Sequence, residues 1–251
     1  MTPDQPHAGG SPENGSQTGL EAGEEEKTTL QERVYRRLRE EIMTGRFKPG
    51  RSVTIRGLAD ELEVSMMPVR EALRRLVTER ALTLKPNRRV EVPAMTPETF
   101  EELAESRVAL ERLAAARALA AAEARGETDA LADRLEAIDL EQDRAIETGD
   151  WEAYLQKNLE FHFTLYGAAD SRVTTPMIES LWLQIGPFLY LTRESLGVTY
   201  NEDRHKEAVA ALRARDADAL AAAIEQDVRD GMGSLPRDRL PFQSAARRLD
   251  P

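Results

Sequence analysis

The chain has 251 residues, 41% of them hydrophobic, 31% charged and 5% aromatic, enough for two helix-rich domains with separate cores. Cysteine is absent, which excludes disulfides and thiolate chemistry, and the most apolar run, Leu181 to Leu191, is broken by Gln184 and Pro187 and too short to span a bilayer. With an acidic N-terminus that lacks a signal pattern, this predicts a cytoplasmic protein with no membrane partner. The formal net charge is −11, yet residues 28–93 carry fifteen Lys/Arg against nine Asp/Glu. A basic block inside an acidic chain fits either a polyanionic partner or ordinary solvated surface.

Residues 1–27 are rich in Gly, Ser, Pro and Glu, show no apolar period and read as a disordered acidic tail. Leu30, Val34, Leu38 and Ile42 then recur at helical spacing until Gly45. The stretch from Phe47 to Val53 reads as a turn. A short helix fits 55–62. Ser65 can cap the next, over 65–76, with Pro68 in its first turn, where a missing N–H costs little. Residues 82–93, LTLKPNRRVEVP, read as two short strands about a Lys-Pro-Asn turn.

From Thr96 the texture changes. Thr96 caps, Pro97 opens, and an Ala-rich helix runs to about Arg125 and stops at Gly126. Further helices run from Thr128 to Gly149, from Asp150 onward, and over about 172–195, 201–214 and 216–233. The breaks are short, so neighbours should pack antiparallel. Residues 235–251 read as a C-terminal tail. The predicted fold class is mainly α: an N-terminal winged helix-turn-helix domain (28–95) and a C-terminal all-α antiparallel helical bundle (96–234).

The helices at 55–62 and 65–76 meet at a tight turn around Glu63-Val64. That is the arrangement of a helix-turn-helix, in which a supporting helix sets a recognition helix into the major groove with its N-terminal residues leading. Arg70 and Arg74 share one face, opposite Val69, Leu73 and Leu76. A planar guanidinium donates two parallel bonds to a phosphate or a guanine edge. Asn87, Arg88 and Arg89 sit at the hairpin tip, where a wing can reach an adjacent groove. The alternative is a structural helical hairpin with solvated arginines.

The run LADELEVSMMPVREALRRLVTERAL resembles the winged-helix domain of the GntR family of bacterial transcription regulators, over about 28–93. The resemblance implies operator contacts from Arg56, from the residues opening the recognition helix (Ser65, Met66 and Met67), and from Arg70. Met66 stands where members commonly carry a basic residue, and Met67 replaces the usual small polar one. A thioether packs on a thymine methyl but bonds a guanine poorly. The wing has Arg88-Arg89 where the family often ends in glycine. These departures imply a shifted base preference.

In the second half, several polar groups fall on apolar stripes. Arg107 aligns with Leu103, Leu110 and Ala114. Asn158 and His162 align with Leu155, Leu159, Phe163 and Tyr166. His205 aligns with Val209 and Leu212, and Asp227 with Leu220, Ile224 and Gly231. Buried polar groups are costly unless paired. His205 and Asp227 flank the turn near Arg215, so an antiparallel hairpin brings them to one depth. Two imidazoles, a carboxylate and an amide oxygen would then suit a divalent ion such as Zn²⁺, Ni²⁺ or Mn²⁺, with Arg107 as a fixed charge beside it. Spacing alone favours a plainer reading: His162 a satisfied core histidine, His205 a cap on a surface helix, and Arg107 paired with Glu111.

The segments ESRVALERLAAARALA, NLEFHFTLYGAA and HKEAVAALRARDADALAAAIEQDV resemble the FCD ligand-binding domain of the FadR-type GntR subgroup, over about 98–233. That family holds a metal with an Asp and a His four residues apart, a second His, and a third His on the last helix. An arginine on its first helix grips a carboxylate ligand. The resemblance places His162 and His205 at two of the histidines, Asn158 at the Asp, Asp227 at the last His, and Arg107 at the ligand arginine. One anion is lost from the set and another gained.

Together these features predict a homodimeric, metabolite-responsive regulator of the repressor type. It would read a double-stranded DNA operator with two winged helices and sense a small carboxylate in the bundle through a divalent metal. The first bundle helix and the linker at Pro93-Ala94-Met95 would carry the signal. Two rivals stand beside this reading. A helical-bundle metalloenzyme also uses three protein ligands and an open position, but no general base is evident, and Arg56, Arg70 and Arg74 are left unexplained. A non-catalytic dimerising adaptor predicts no specific operator. No catalytic residue is expected.

Overall fold

Thr29 caps the first helix by accepting the Glu32 amide, and α1 (Leu30–Met43) follows with Val34, Tyr35, Leu38 and Ile42 buried along one face. The structure, a computed structural model, describes residues 29–86, 89–189, 191 and 204–233. Both predicted tails (1–27 and 235–251) and the wing-tip residues Asn87 and Arg88 lie outside the described residues, as do the end of the helix predicted over 172–195 and the start of the one over 201–214.

The helix-turn-helix forms from α2 (Ile55–Glu61) and α3 (Met66–Thr78). Glu63 takes a left-handed φ of 55° between them. That single residue reverses the chain, and two bonds satisfy the last carbonyls of α2: Val64 N to Ala59 O at 3.0 Å and Glu63 N to Asp60 O at 3.3 Å. Val69, Ala72, Leu73 and Leu76 turn the inner face of α3 onto α1. Tyr35 adds a polar lock, donating its hydroxyl to Glu79 while Arg75 lies 3.6 Å over its ring. Arg75 is thereby taken out of the basic face. Burial, with the Glu79 carboxylate beside it, pushes the Tyr35 phenol up to about 12, so it stays a donor throughout the physiological range.

Three short strands complete this part: β1 (Ser52–Thr54), β2 (Thr83–Leu84) and β3 (Arg89–Glu91), in the antiparallel order β1-β3-β2. β1 corrects the expectation that Phe47 to Val53 is wholly a turn. Its three residues are too few to display a period, and pairing with β3, Val53 opposite Val90, is what defines it.

The rest is helical: α4 (Pro97–Arg125), α5 (Thr128–Thr148), α6 (Trp151–Gly167), α7 (Thr174–Leu189), α8 (Arg204–Ala214) and α9 (Ala217–Gly233). Thr96 and Asp150 cap α4 and α6 through the amides of Thr99 and Ala153. Gly126 and Gly149, at φ 69° and 70°, end α4 and α5 in the left-handed conformation that a β-carbon disfavours. Cross-helix pairs give the antiparallel register. Glu111 meets Trp182 and Arg117 meets Thr174 between α4 and α7. Asp133 meets Arg213 and Asp143 meets Lys206 between α5 and α8. Trp182, Tyr166, Phe161 and Phe188 are fully buried and fill the centre.

The winged helix rests on α7. Arg39 bridges to Glu179 at 2.7 Å. Gly186 faces the end of α1 so closely that a β-carbon there would lie 2.5 Å from Ile42 O and 2.6 Å from Met43 Cα. An exposed helical glycine replaced by alanine gains about 1 kcal/mol in propensity. Here backbone blocks the new atom, so Gly186→Ala is expected to cost about 1–3 kcal/mol instead, the range for overpacking. A thermal melt lower than wild type, with faster proteolytic cleavage near Ala94, is the expected result. A higher melting temperature would count against this tight seat.

Candidate functional site

The outer face of the head carries the predicted DNA-contacting side chains. Arg56, at 85% side-chain exposure, has only a 4.0 Å contact with Asp60, and Arg74, at 80%, lies 3.3 Å from Glu71. Such solvated pairs cost little to exchange for phosphate. Ser65 caps α3 by position, with no hydrogen bond from its side chain to the helix. Met66 and Met67 are 50% and 55% exposed, large apolar side chains opening an otherwise polar surface. Exposed Arg70 leans on Met67, its Nη1 3.9 Å from the sulfur. Arg89 is engaged across the sheet, donating to Ser52 Oγ at 2.9 Å and to Ser52 O at 2.7 Å.

The polar centre of the bundle draws side chains from all six helices. His162 on α6, His205 on α8 and Asp227 on α9 place one ligand atom each within 4.8 Å of one another. His162 Nε2 lies 3.0 Å from Asp227 Oδ2, and His205 Nε2 lies 3.7 Å from Asp227 Oδ1. The hairpin of α8 and α9 brings His205 and Asp227 to one depth, as their spacing predicted. His205 is buried and stacks flat on Phe161, with 3.8 Å between centroids, which is not the surface cap of the plainer reading. Asn158 lies one turn before His162 on α6 and is half-buried.

Each imidazole is held from behind. His205 Nδ1 is 3.2 Å from Asp139 Oδ1 on α5, and both side chains are only 3% exposed. His162 Nδ1 is 2.9 Å from Tyr166 Oη, which donates to Glu111 Oε2 at 2.6 Å. Burial pushes the Tyr166 phenol well above its ordinary range, and the Glu111 carboxylate adds to this. Tyr166 is therefore always protonated, its hydrogen points at Glu111, and its lone pair accepts from His162 Nδ1–H. A carboxylate likewise accepts from His205 Nδ1–H. Both Nε2 atoms then face the Asp227 carboxylate, and His162 Nε2 is sealed from solvent without a hydrogen bond of good geometry. Two imidazole nitrogens and a carboxylate that converge within 4.8 Å are the donor types and spacing that a divalent ion takes, and this set fits a metal ion. Burial alone would raise the Asp227 carboxyl, but His162, His205 and Arg107 outweigh it and hold it down at about 2, so Asp227 stays an anion.

Arg107 lies beside this centre. Its guanidinium stacks 4.6 Å over Trp182, whose ring is 5.2 Å from that of His162. Its Nε donates to Glu111 Oε1 at 2.7 Å, the pairing that the plainer reading of the sequence contained. Trp182 Nε1 donates to the same oxygen at 3.1 Å. Asp139, Tyr166 and Trp182 touch this cluster, and sequence reasoning did not place them there. For Asp139 a signal existed: with Gln142 it interrupts the buried stripe of Ala132, Leu135, Ile138 and Ala145 on α5.

A winged helix with an exposed basic face, seated on a helical body with a buried polar centre, is the architecture of a DNA-binding transcription regulator. Residues 30–92 match the bacterial regulatory proteins of the gntR family, and residues 102–230 match the FCD domain. The chain belongs to the GntR family, with a C-terminal FCD domain. It is 29% identical to the HTH-type transcriptional regulator McbR of Escherichia coli (strain K12), over 82% of this chain and 94% of that protein. It is 27% identical to the HTH-type transcriptional repressor GlaR of the same organism, over 76% and 89%. Among solved structures, E. coli McbR/YncC superposes with a TM-score of 0.76 at 27% identity, over 84% of this chain and 98% of that one. The chain is thus a regulator, not the metalloenzyme or adaptor weighed beside it. Among the described residues no helix is long and apolar enough to cross a membrane.

Proposed function

We propose that the chain works as a homodimer whose head (28–95) grips a pseudo-palindromic operator while its body (96–234) senses a small carboxylate through a divalent metal. Arg56, Ser65, Met66, Met67, Arg70 and Arg74 face the DNA from α2 and α3, with Asn87, Arg88 and Arg89 from the wing. His162, His205 and Asp227 hold the ion, with the Asn158 amide as a weak further donor. Zn²⁺, Ni²⁺ and Mn²⁺ all suit two imidazoles and a carboxylate. The bound ion supplies a Lewis-acid anchor for one effector oxygen. Glu111 takes the Nε edge of Arg107, which leaves the Nη1 edge to receive the rest of the effector carboxylate. The effector alters operator affinity to the extent that it binds the two arrangements of head and body differently.

Leu113 on α4, and Val173 and Met177 at the start of α7, are large apolar side chains left exposed, which supports a second copy packed on these helices. Repression is the direction we favour, in line with the name of the relative GlaR, and the cytoplasm is where the operator would be met.

The observation that carries the sensing half is the pair of Nε2 atoms aimed at Asp227 with both Nδ1 atoms engaged. Elemental analysis of protein purified without chelator tests it. About one divalent ion per chain is expected in the wild type, the stoichiometry of a single three-ligand site, and none in His162→Ala or His205→Ala. Metal-free wild-type protein would remove the metal from the proposal.

A further inference from the structure

Asp139 is a carboxylate that the bundle buries at a cost. It is 3% exposed. Its Oδ1 meets His205 Nδ1 at 3.2 Å, and its Oδ2 has Lys206 Nζ no nearer than 3.9 Å, that ammonium being held at 2.8 Å by Asp143. A buried carboxylate with so little cationic support is destabilising. Asp139 lies among the apolar side chains that α5 buries, so packing alone does not account for a carboxylate there.

We propose that Asp139 is a positioning residue for the metal centre: it fixes His205 as the Nδ1–H tautomer, so that Nε2 presents a lone pair beside Asp227. The inference rests on the metal reading above. Its geometry is independent of the other imidazole, which Tyr166 and Glu111 hold from α6 and α4. Stacking on Phe161 fixes the plane of the His205 ring but is indifferent to which nitrogen carries the hydrogen. The tautomer is set by the acceptors at the two nitrogens, and Asp139 at 3.2 Å from Nδ1 lies nearer than Asp227 at 3.7 Å from Nε2. An acceptor-only carboxylate permits one answer. An amide in its place permits both, because its NH₂ group can donate to Nδ1 and send the hydrogen to Nε2, where it blocks the ion. The principle matches the way ligating histidines are oriented by carboxylates behind them.

The test is Asp139→Asn in the full-length chain, with Zn²⁺ as the probe, titrated against a chromophoric chelator. Substitutions behind a ligand commonly weaken metal affinity about 10–100-fold, and that loss is expected here. ¹⁵N-edited imidazole spectra of the metal-free protein give a readout that a merely structural role would not move. The chain has three histidines, so assignment is direct. His205 is expected as Nδ1–H in the wild type and wholly or partly as Nε2–H in Asp139→Asn, while His162 keeps its Nδ1–H form. Zn²⁺ affinity within twofold of wild type, or an unchanged His205 tautomer, overturns the positioning role. If the wild type itself takes up no Zn²⁺, the metal reading fails first, and this inference fails with it.

Discussion

Glu111→Leu is expected to lower the stability of the bundle by about 3–5 kcal/mol. Glu111 is fully buried, and its two oxygens accept from Arg107 Nε at 2.7 Å, Tyr166 Oη at 2.6 Å and Trp182 Nε1 at 3.1 Å. Removing the carboxylate leaves an arginine at 4% exposure without its anion. Breaking a buried pair from one side costs about 3–5 kcal/mol, mostly because the surviving charge is stranded. For a chain of this size a loss of that order lowers the melting temperature by roughly 10 °C. The double variant Arg107→Met/Glu111→Leu removes both charges and should recover part of the loss. The recovery stops short of wild type, because Tyr166 and Trp182 still lack an acceptor. Thermal melts of the three proteins at one metal concentration check this. A double variant no more stable than Glu111→Leu would mean that the lost hydroxyl and indole bonds, not the stranded guanidinium, dominate.

The same pair shows where sequence reasoning stopped. Arg107 on an apolar stripe with Glu111 one turn later was legible as an ion pair. Its resemblance to a ligand arginine was legible too, and the two readings looked exclusive. They are compatible, because a guanidinium has two edges and Glu111 occupies only one. The helix-turn-helix and the bundle were legible because their signals are local: Thr, Pro and Gly at helix ends, and a period near 3.6 between them. His205 and Asp227 converged as expected because one hairpin relates them. Asp139 did not emerge. Its place on the apolar stripe of α5 turns it inward, but its partner lies 66 positions away in sequence, and only the packing of α5 on α8 says what it meets. Strand β1 was missed for a similar reason. The seat of the head on α7 had no local signature beyond Gly186-Pro187, which looks like an ordinary helix break. Trp182, in contact with the site, lies one turn before Gly186 on the same helix, so under the proposed function α7 would join the linker as a path from the bundle to the head.

Arg70→Ala is expected to weaken operator binding strongly, because the loss is counted twice. An arginine contact to a base or phosphate contributes about 1–3 kcal/mol. In a homodimer on a pseudo-palindrome each half-site loses one, so the variant should bind at least about 2 kcal/mol more weakly, roughly thirtyfold. The slope of log affinity against log salt distinguishes the two kinds of contact. A phosphate partner predicts that it shallows by about 1 per lost contact, whereas a guanine partner predicts loss of discrimination with little change in slope. The neighbours of Arg70 bear on the choice. It leans on Met67, and with Met66 that side chain gives the leading end of α3 an apolar surface suited to thymine methyl groups. Replacing thymine by deoxyuridine in a selected operator removes only those methyls and should weaken the wild type. The Arg70→Ala protein should show a different proportional loss, since Arg70 packs on Met67 and its removal frees that thioether. A gel shift at moderate salt that Arg70→Ala leaves unchanged would place the operator on some face of the head other than α3.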